Sequence, residues 1–222
     1  MIHVQALCKQ FTSGRGHISA LADISFSLDC GRGVILVGRS GSGKTTLLHC
    51  LGTLEAPDSG AILYKGSDIC RLDRRQRAIF RRREVGFVFQ GGNLLPWLTV
   101  GENLRFPLEL NGIRGMQQKK RIEELLATFD LVGYGRAMPR ELSGGEGQRI
   151  AFARAIAHNP ALLLADEPTA SLDSVNAGQL IEQMFTLCRA KGTTLFVATH
   201  DQDLLAMADT IIVLKDGKME QR

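Results

Sequence analysis

A glycine-rich run separates an apolar segment from a helical pattern near the start of this chain, and it restricts the possible folds. It consists of Gly38, Arg39, Ser40, Gly41, Ser42, Gly43, Lys44, Thr45 and the following Thr46. The pattern GxxxxGK[ST] between a strand and a helix predicts a loop whose backbone N–H groups and helix N-terminus bind phosphates. In such a loop Lys44 is expected to reach the β- and γ-phosphates, and the Thr45 hydroxyl is expected to bind Mg²⁺.

Strand and helix patterns around this loop predict a parallel α/β sheet. Short β-type runs open the chain at residues 2–7, 24–28, 34–37 and 61–64. Residues 162–165 and 194–197 are continuous apolar runs, the type found where helices cover both faces of a parallel sheet. Leucine spacing after Thr45 predicts a helix that reaches Leu54 and ends at the turn formers 57–60.

The middle of the chain, at about residues 96–139, lacks strand-like runs. Apolar residues at Ile122, Leu125 and Phe129 have helical spacing, and glycines interrupt this pattern. We therefore expect a helical insertion within one domain that spans residues 1–222.

Two adjacent carboxylates, Asp166 and Glu167, follow the apolar run 162–165. The carboxyl end of a strand is where α/β sheets place ligand chemistry. In a protein that also has a phosphate-binding loop, Asp166 is expected to hold the Mg²⁺ shell. Glu167 is then placed to accept a proton from the attacking water or to orient it.

A second anion site is predicted where Leu142, Ser143, Gly144, Gly145 and Glu146 precede a helical run. A serine and free N–H groups at a helix start are suited to phosphate. At this point the sequence resembles the ABC ATPase family, whose signature motif is LSGGE.

The resemblance covers nearly the whole chain and implies an α/β fold. It implies a P-loop NTPase (RecA-like) core, an antiparallel β subdomain, and the helical subdomain specific to ABC ATPases, inserted at about residues 96–139. ATP and Mg²⁺ are the implied cofactors.

Further elements that resemble the family imply roles for single residues. Phe11 resembles the aromatic residue that stacks on adenine. Gln90 resembles the glutamine that senses Mg²⁺ and the attacking water and couples to the membrane subunit. His200 resembles the histidine that contacts the γ-phosphate. The resemblance therefore implies catalytic roles for Lys44, Gln90, Glu167 and His200, and Mg²⁺ contacts for Thr45, Gln90 and Asp166.

The resemblance also implies a head-to-tail homodimer, with each ATP between one phosphate loop and the opposite signature. Ser171, Leu172 and Asp173 resemble the loop that crosses this interface. Nucleotide contacts are implied for Phe11, for the loop residues from Gly38 to Thr46, and for Ser143, Gly144, Gly145 and Asp173.

Within the family, residues 86–90, 93–96, 102–103 and 107–108 resemble the MacB, LolD and FtsE group. That group serves lipoprotein release, peptide or drug export, and cell-division signalling. The expected function is ATP hydrolysis that powers export or lipoprotein release by a membrane partner. Two alternatives stay open: FtsE-like signalling without transport, and an ABC ATPase associated with nucleic acid.

The longest apolar runs are strand-sized and far shorter than a membrane span. Integral membrane permease subunits are therefore expected as partners. Five cysteines without metal-ligand spacing are typical of a reduced, cytosolic protein. Together these features predict a peripheral subunit on the cytoplasmic face of the inner membrane.

Charge does not indicate a nucleic-acid partner, and none is expected. The net charge is +4, from 27 basic and 23 acidic residues. Seven arginines are nevertheless clustered at positions 71, 74, 75, 77, 81, 82 and 83. We interpret them as a solvated helix face partly paired with Asp73 and Glu84, although such a cluster could also bind nucleic-acid or lipid phosphates. Trp97 fits the core and a groove for a partner helix equally well.

Overall fold

The computed structural model describes residues 1–14, 16–170, 172–201 and 203–220. The helices are α1 (Lys44–Leu51), α2 (Arg74–Glu84), α3 (Val100–Leu110), α4 (Gly115–Thr128), α5 (Gly144–Ile156) and α6 (Ser174–Lys191). The strands are β1 (Ile2–Ser13), β2 (Gly16–Leu28), β3 (Gly33–Val37), β4 (Ser59–Tyr64), β5 (Ser67–Asp68), β6 (Val85–Val88), β7 (Leu162–Asp166), β8 (Thr194–Thr199), β9 (Thr210–Lys215) and β10 (Lys218–Met219). Short 3₁₀ helices cover Ile69–Arg71, Tyr134–Arg136, Pro139–Glu141 and Asp203–Met207.

Within the described residues, six strands form a central sheet in the order β10-β9-β3-β8-β7-β6. Neighbouring strands from β9 to β6 are parallel, and β10 is antiparallel to β9. Strand β8 is buried along its whole length, and β7 is buried up to its last residue. The predicted parallel α/β core is confirmed.

Four further strands in the described part of the chain form an antiparallel sheet in the order β2-β1-β4-β5. The long strands β1 and β2 pair from Ile2 opposite Leu28 to Ser13 opposite Gly16. Their register shifts between Val4 and Gln10. The predicted antiparallel β element is therefore confirmed.

Strand β3 lies between two hydrophobic clusters. Val34 and Leu36 pack with α1 and the antiparallel sheet, whereas Ile35 packs in a cluster with residues of helices α3 to α6. This division follows from the strand geometry, because successive side chains point to opposite faces. The glycine-rich loop therefore starts from a strand that is anchored on both faces.

Helices α3 and α4 lie in the segment with helical spacing. Helix α3 begins with a capping box, in which Thr99 Oγ1 accepts from the Glu102 N–H and the Glu102 carboxylate accepts from the Thr99 N–H. Leu125 of α4 is buried, and the fully buried Phe129 packs edge-on against Phe152 of α5 with centroids 5.0 Å apart. This aromatic contact attaches α4 to α5. Every helix among the described residues is too short or too polar to span a bilayer.

Helix α1 is shorter than predicted. It ends at Leu51, and Leu54 lies beyond it with 44% of its surface exposed. The Leu54 N–H donates to the carbonyl of His49 at 2.8 Å, so the chain turns back here. A Cβ on Gly52 would collide with the ring of Phe87, so the chain passes directly against β6. The predicted helix end was wrong, and β4 begins inside the predicted turn.

Candidate nucleotide-binding site

The glycine-rich loop connects β3 to α1, where the sequence pattern predicted it. Gly41 and Gly43 have φ values of 80° and 103°, in the left-handed region that favours glycine. A Cβ on Gly43 would also collide with the carbonyl oxygen of Ala20, and a Cβ on Gly38 with that of Leu214. The loop is therefore packed closely against β2 and β9, and glycine is required both for its conformation and for this packing.

Lys44 lies inside the loop. Its Nζ donates to the carbonyl oxygens of Gly38 at 2.7 Å and Arg39 at 3.3 Å, and lies 3.7 Å from a carboxylate oxygen of Glu167. Only 7% of Lys44 is exposed. The buried Ser42 Oγ has no hydrogen-bond partner in the described part of the chain. An ammonium group and a hydroxyl donor in a glycine-lined loop suit an anionic oxygen ligand.

Thr45 and Asp166 meet across the site, although 121 positions separate them in the sequence. The Thr45 hydroxyl donates to Asp166 Oδ2 at 2.7 Å. Asp166 Oδ1 is buried and has no partner among the described residues. The described residues contain no group of three or more His, Cys, Asp or Glu side chains suited to a metal ion. One carboxylate and one hydroxyl fit Mg²⁺, which usually binds one or two carboxylates together with substrate phosphates.

Glu167 and His200 form a hydrogen-bonded pair next to Lys44. His200 Nδ1 lies 2.8 Å from Glu167 Oε2. Glu167 has a φ of 45°, a left-handed conformation uncommon for a residue with a Cβ, and its N–H donates to the carbonyl of Ala198 at 2.9 Å. Such strain persists where the surroundings hold it, and it occurs frequently at functional sites. The Glu167 side chain is therefore held in one direction, with an oxygen near Lys44.

These groups share one cavity of about 610 Å³, a volume within the usual range for ligand sites. Its lining includes Arg39, Ser40, Gly41, Ser42, Gly43, Lys44, Thr45, Thr46, Gln90, Asp166, Glu167 and His200. The structure thus brings together the predicted loop, the predicted Mg²⁺ contacts and the predicted catalytic residues.

Phe11 lies beside this cavity and does not line it. It pairs in register with Ile18 of β2, which does line the cavity. The ring is 40% exposed, and Lys9 Nζ lies 5.2 Å from its centroid. Phe11 is therefore not a core residue, and its ring is accessible at the edge of the site.

The signature residues lie in a different groove, of about 700 Å³. Its lining includes Ser143, Gly144, Gly145, Leu172 and Asp173. Asp173 caps α6 by accepting from the Asn176 N–H at 3.0 Å. Ser171, which the sequence assigns to the same interface loop, lies outside the described residues. The structure thus does not bring the signature and the phosphate loop of one chain into a common cavity.

Comparison with known proteins identifies the family. Residues 21–170 match the family model described as ABC transporter. The chain belongs to the ABC transporter family. Within that family it is the ATP-binding subunit with ATPase activity, and the matched segment contains both the phosphate loop and the signature.

Relatives of this ABC ATPase align over almost its full length. An uncharacterized ABC transporter ATP-binding protein of Thermotoga maritima is 41% identical, with 96% of this chain and 90% of the relative covered. The lipoprotein-releasing system ATP-binding protein LolD of Porphyromonas gingivalis is 43% identical, with 91% and 92% covered. The ABC transporter ATP-binding protein YtrE of Bacillus subtilis is 37% identical, with 99% and 97% covered.

Solved structures confirm the predicted fold class. The dimeric structure of MJ0796, a bacterial ABC transporter cassette, has a TM-score of 0.92 at 36% identity, with 100% of this chain and 97% of that chain covered. A dimeric post-hydrolysis state of MJ0796, bound to ADP and Pi, matches equally well.

Asn103 is a structural residue of this ABC ATPase that the sequence interpretation missed. It is fully buried, and its side-chain oxygen accepts from the Leu95 N–H at 2.8 Å. Its amide donates to the carbonyls of Leu95, Leu98 and Thr99 at 3.0 to 3.1 Å. A polar residue on the apolar stripe of α3 is the signal that could have revealed it.

Asn103 holds the segment that exposes Trp97. Trp97 is 72% exposed, so the core interpretation was wrong and the surface interpretation remains. Just before this segment in the chain, the carbonyls of Gly92 and Asn93 accept from Arg154 of α5 at 3.0 Å and 2.8 Å. Burial lowers the pKa of Arg154. These bonds connect the chain after Gln90 to the helix that begins at the signature.

The arginine cluster lies mainly on α2, which buries none of its residues. Arg77 donates to the carbonyls of Cys70 and Leu72, and Arg81 donates to that of Thr53. Their guanidinium groups thus contact the protein itself.

The two acidic residues expected to pair with the cluster have other close partners. Asp73 caps α2 by accepting from the Gln76 N–H at 2.8 Å. Glu84 accepts from Tyr64 and Lys65, each at 2.9 Å. The interpretation as an exposed helix face is confirmed. Although burial opposes it, hydrogen bonds from Lys65 and Tyr64 and the charge of Arg83 lower the pKa of Glu84. Partial pairing with the cluster is therefore supported for Glu84 and not for Asp73.

Proposed function

We propose that this chain hydrolyses Mg-ATP in a head-to-tail dimer and thereby powers a membrane partner. The observation that carries the proposal is the separation of two helix starts suited to phosphate. Lys44 and Thr45 line one cavity, and Ser143 and Gly145 line another. Two copies related by a two-fold axis would place each loop opposite the partner's signature.

The phosphates would lie against the loop from Gly38 to Thr46. Lys44 exchanges its contacts with the Gly38 and Arg39 carbonyls for phosphate oxygens. Thr45 and Asp166 would hold Mg²⁺, with Gln90 as a further contact, and the ion would neutralise charge on the phosphates. The orphaned Oδ1 of Asp166 supports this assignment. Phe11 would contribute a ring face to adenine from the edge of the cavity.

Glu167 is the proposed base. One of its oxygens lies 2.8 Å from His200, and the other lies 3.7 Å from Lys44. A carboxylate held this way can accept a proton from water that attacks the γ-phosphate. His200 would orient Glu167 and contact the γ-phosphate; His200 and Gln90 line the same cavity.

Ser143, Gly144, Gly145 and Asp173 would contact the ATP held by the opposite chain. The ligand then forms part of the dimer interface. Hydrolysis and phosphate release remove the contacts that favour the closed state, so the dimer reopens. A membrane partner attached to both chains would be moved by this cycle.

The proposed surface for the membrane partner includes Trp97 with Phe106 and Leu110. They are 72%, 48% and 48% exposed, and Phe106 and Leu110 lie four residues apart on one helix, so α3 and the segment before it expose apolar side chains that could bind a partner. The chain would then act at the cytoplasmic face of the inner membrane. The name of the Porphyromonas gingivalis relative, a lipoprotein-releasing system ATP-binding protein, supports lipoprotein release as the work performed.

The proposal is tested by separating ATP binding from hydrolysis. Ser143→Arg should retain ATP binding to the single chain, because Ser143 does not line the loop cavity, but should lose ATPase activity. Ser67→Arg, a matched change at the exposed first residue of strand β5, should retain both. Full ATPase activity in Ser143→Arg would contradict the shared site.

A test of the transport function requires the membrane partner. Pull-down from membranes with the tagged wild-type chain should recover an integral membrane protein, and Trp97→Ala should reduce that recovery. ATP-dependent release of a lipoprotein from proteoliposomes that contain this complex would identify the substrate class. ATPase activity that the membrane partner stimulates without release of any lipoprotein would contradict lipoprotein release as the function.

A further inference from the structure

The hydroxyl of the signature serine is engaged within its own chain. Ser143 Oγ donates to Glu146 Oε2 at 2.7 Å, and the Ser143 N–H donates to the same oxygen at 2.7 Å. A serine hydroxyl has one proton to donate. If Ser143 is to donate to a phosphate of the opposite chain, the Glu146 carboxylate competes for that proton.

The other oxygen of Glu146 is occupied by Tyr134. The Tyr134 hydroxyl donates to Glu146 Oε1 at 2.6 Å, a distance typical of a strong hydrogen bond to a charged acceptor. Tyr134 lies outside the signature, in the short helix Tyr134–Arg136 that follows α4.

The backbone around Tyr134 is tightly held. The Ala137 N–H donates to the Tyr134 carbonyl at 2.9 Å, and the Val100 N–H donates to the Ala137 carbonyl at 2.9 Å. A Cβ on Gly101 would lie 2.8 Å from the carbonyl oxygen of Gly135. The turn therefore packs directly against the start of α3, and Tyr134 reaches Glu146 from a fixed position.

We propose that Tyr134 is a positioning residue for ATP hydrolysis, which acts through Glu146 to control the Ser143 hydroxyl. This inference rests on the proposed role of Ser143 in the dimer. The Tyr134 hydrogen bond holds the Glu146 carboxylate in place and draws its charge away from Ser143. The Ser143 hydroxyl keeps its proton and more easily changes its hydrogen-bond acceptor from Glu146 Oε2 to a phosphate oxygen.

The pKa values of Glu146 and Tyr134 agree with the proposal that Tyr134 weakens Glu146 as an acceptor for Ser143. Hydrogen bonds from Tyr134, and then from Ser143, lower the pKa of Glu146 to about 2. The same contact raises the pKa of Tyr134. Glu146 is therefore an anion throughout the physiological range, and Tyr134 reduces its strength as an acceptor.

Tyr134→Phe tests the inference, because it removes the hydroxyl and keeps the ring. ATP affinity of the single chain should be unchanged, since Tyr134 does not line the loop cavity. The kcat for ATP should fall about tenfold, the scale of one hydrogen bond to a charged group. Tyr64→Phe is the matched control, because the Tyr64 hydroxyl donates to Glu84 at 2.9 Å, away from the signature. It should retain wild-type kcat.

A double-mutant cycle decides whether Tyr134 acts through the carboxylate. In the Glu146→Gln background, Tyr134→Phe should lower kcat by no more than about threefold, because a hydrogen bond from Tyr134 to a neutral amide is weaker than one to a carboxylate. An equal loss in both backgrounds would mean that Tyr134 acts by packing, and would overturn the inference. An unchanged kcat for Tyr134→Phe alone would also overturn it.

The same variants in the Glu167→Gln background separate this inference from the proposed function. Tyr134→Phe should raise the ATP concentration needed for dimerisation about tenfold. A normal dimer in every variant would overturn only the role of Tyr134. The absence of any ATP-dependent dimer in Glu167→Gln itself would overturn the proposed function, and with it this inference.

Discussion

Replacement of Glu167 by glutamine should separate ATP binding from hydrolysis. Glutamine keeps the size of the side chain and can still accept a hydrogen bond from His200. It cannot take a proton or carry the negative charge. The mutation therefore removes the proposed base while the loop and the signature stay intact.

The magnitude follows from the two contacts of Glu167. Its distance to Lys44 is 3.7 Å, and the side chains are 18% and 7% exposed. Unit charges about 4 Å apart attract by about 4 kcal/mol at an effective dielectric near 20. This attraction competes with phosphate for Lys44, so its loss should leave ATP affinity unchanged or increased. Loss of a positioned base should lower the hydrolysis rate by about 10²–10⁴-fold.

Phosphate release and size-exclusion chromatography with light scattering measure these effects. Glu167→Gln should be a dimer in Mg-ATP and a monomer without nucleotide. The control is Glu123→Gln, which neutralises an exposed carboxylate 3.9 Å from Lys119 on α4 and should behave as wild type. Hydrolysis at the wild-type rate would contradict the role of Glu167 as the base. ATP affinity reduced about tenfold or more would contradict its competition with phosphate for Lys44.

Four further outcomes are expected. Lys44→Ala should lose ATP binding or turnover in a nucleotide-binding and phosphate-release assay, and near-wild-type ATPase would contradict the site. Phe11→Ala should lose about 1–3 kcal/mol of ATP affinity by calorimetry if the ring stacks on adenine; Phe11→Tyr should not. Asn103→Ala should lower the free energy of unfolding in urea by about 2–4 kcal/mol, because it leaves buried backbone groups of the Leu95 segment unpaired. DNA and RNA should bind weakly in a salt titration; submicromolar affinity with a steep salt slope would support the nucleic-acid alternative.

Local chemistry explains why the sequence could locate the main parts of the candidate site. The phosphate loop depends on left-handed glycine conformations at Gly41 and Gly43, and β3 and α1 flank it in the structure as predicted. Asp166 and Glu167 follow a buried strand, and the carboxyl ends of parallel strands meet at one edge of a sheet. In a parallel sheet, the strand pattern therefore predicts that Asp166 lies close to Thr45.

Other features depended on contacts between distant segments. Leucine spacing continued the first helix to Leu54, but the helix ends at Leu51, where the backbone turns back and Gly52 packs directly against Phe87 of β6. Trp97 fitted the core and the surface equally well, because periodicity does not show which other elements cover a side chain.

Residue types at fixed spacing define the phosphate loop, the acidic pair, the signature and the family, so each of these could be predicted from the sequence. The packing of the chain places the loop and the signature of one chain in separate cavities. It also decided that Tyr134 contacts Glu146 and that Asn103 holds the segment around Trp97. Hydrogen bonds of this kind depend on distances of about 3 Å between side chains, and those distances are set only when the helices and strands pack together.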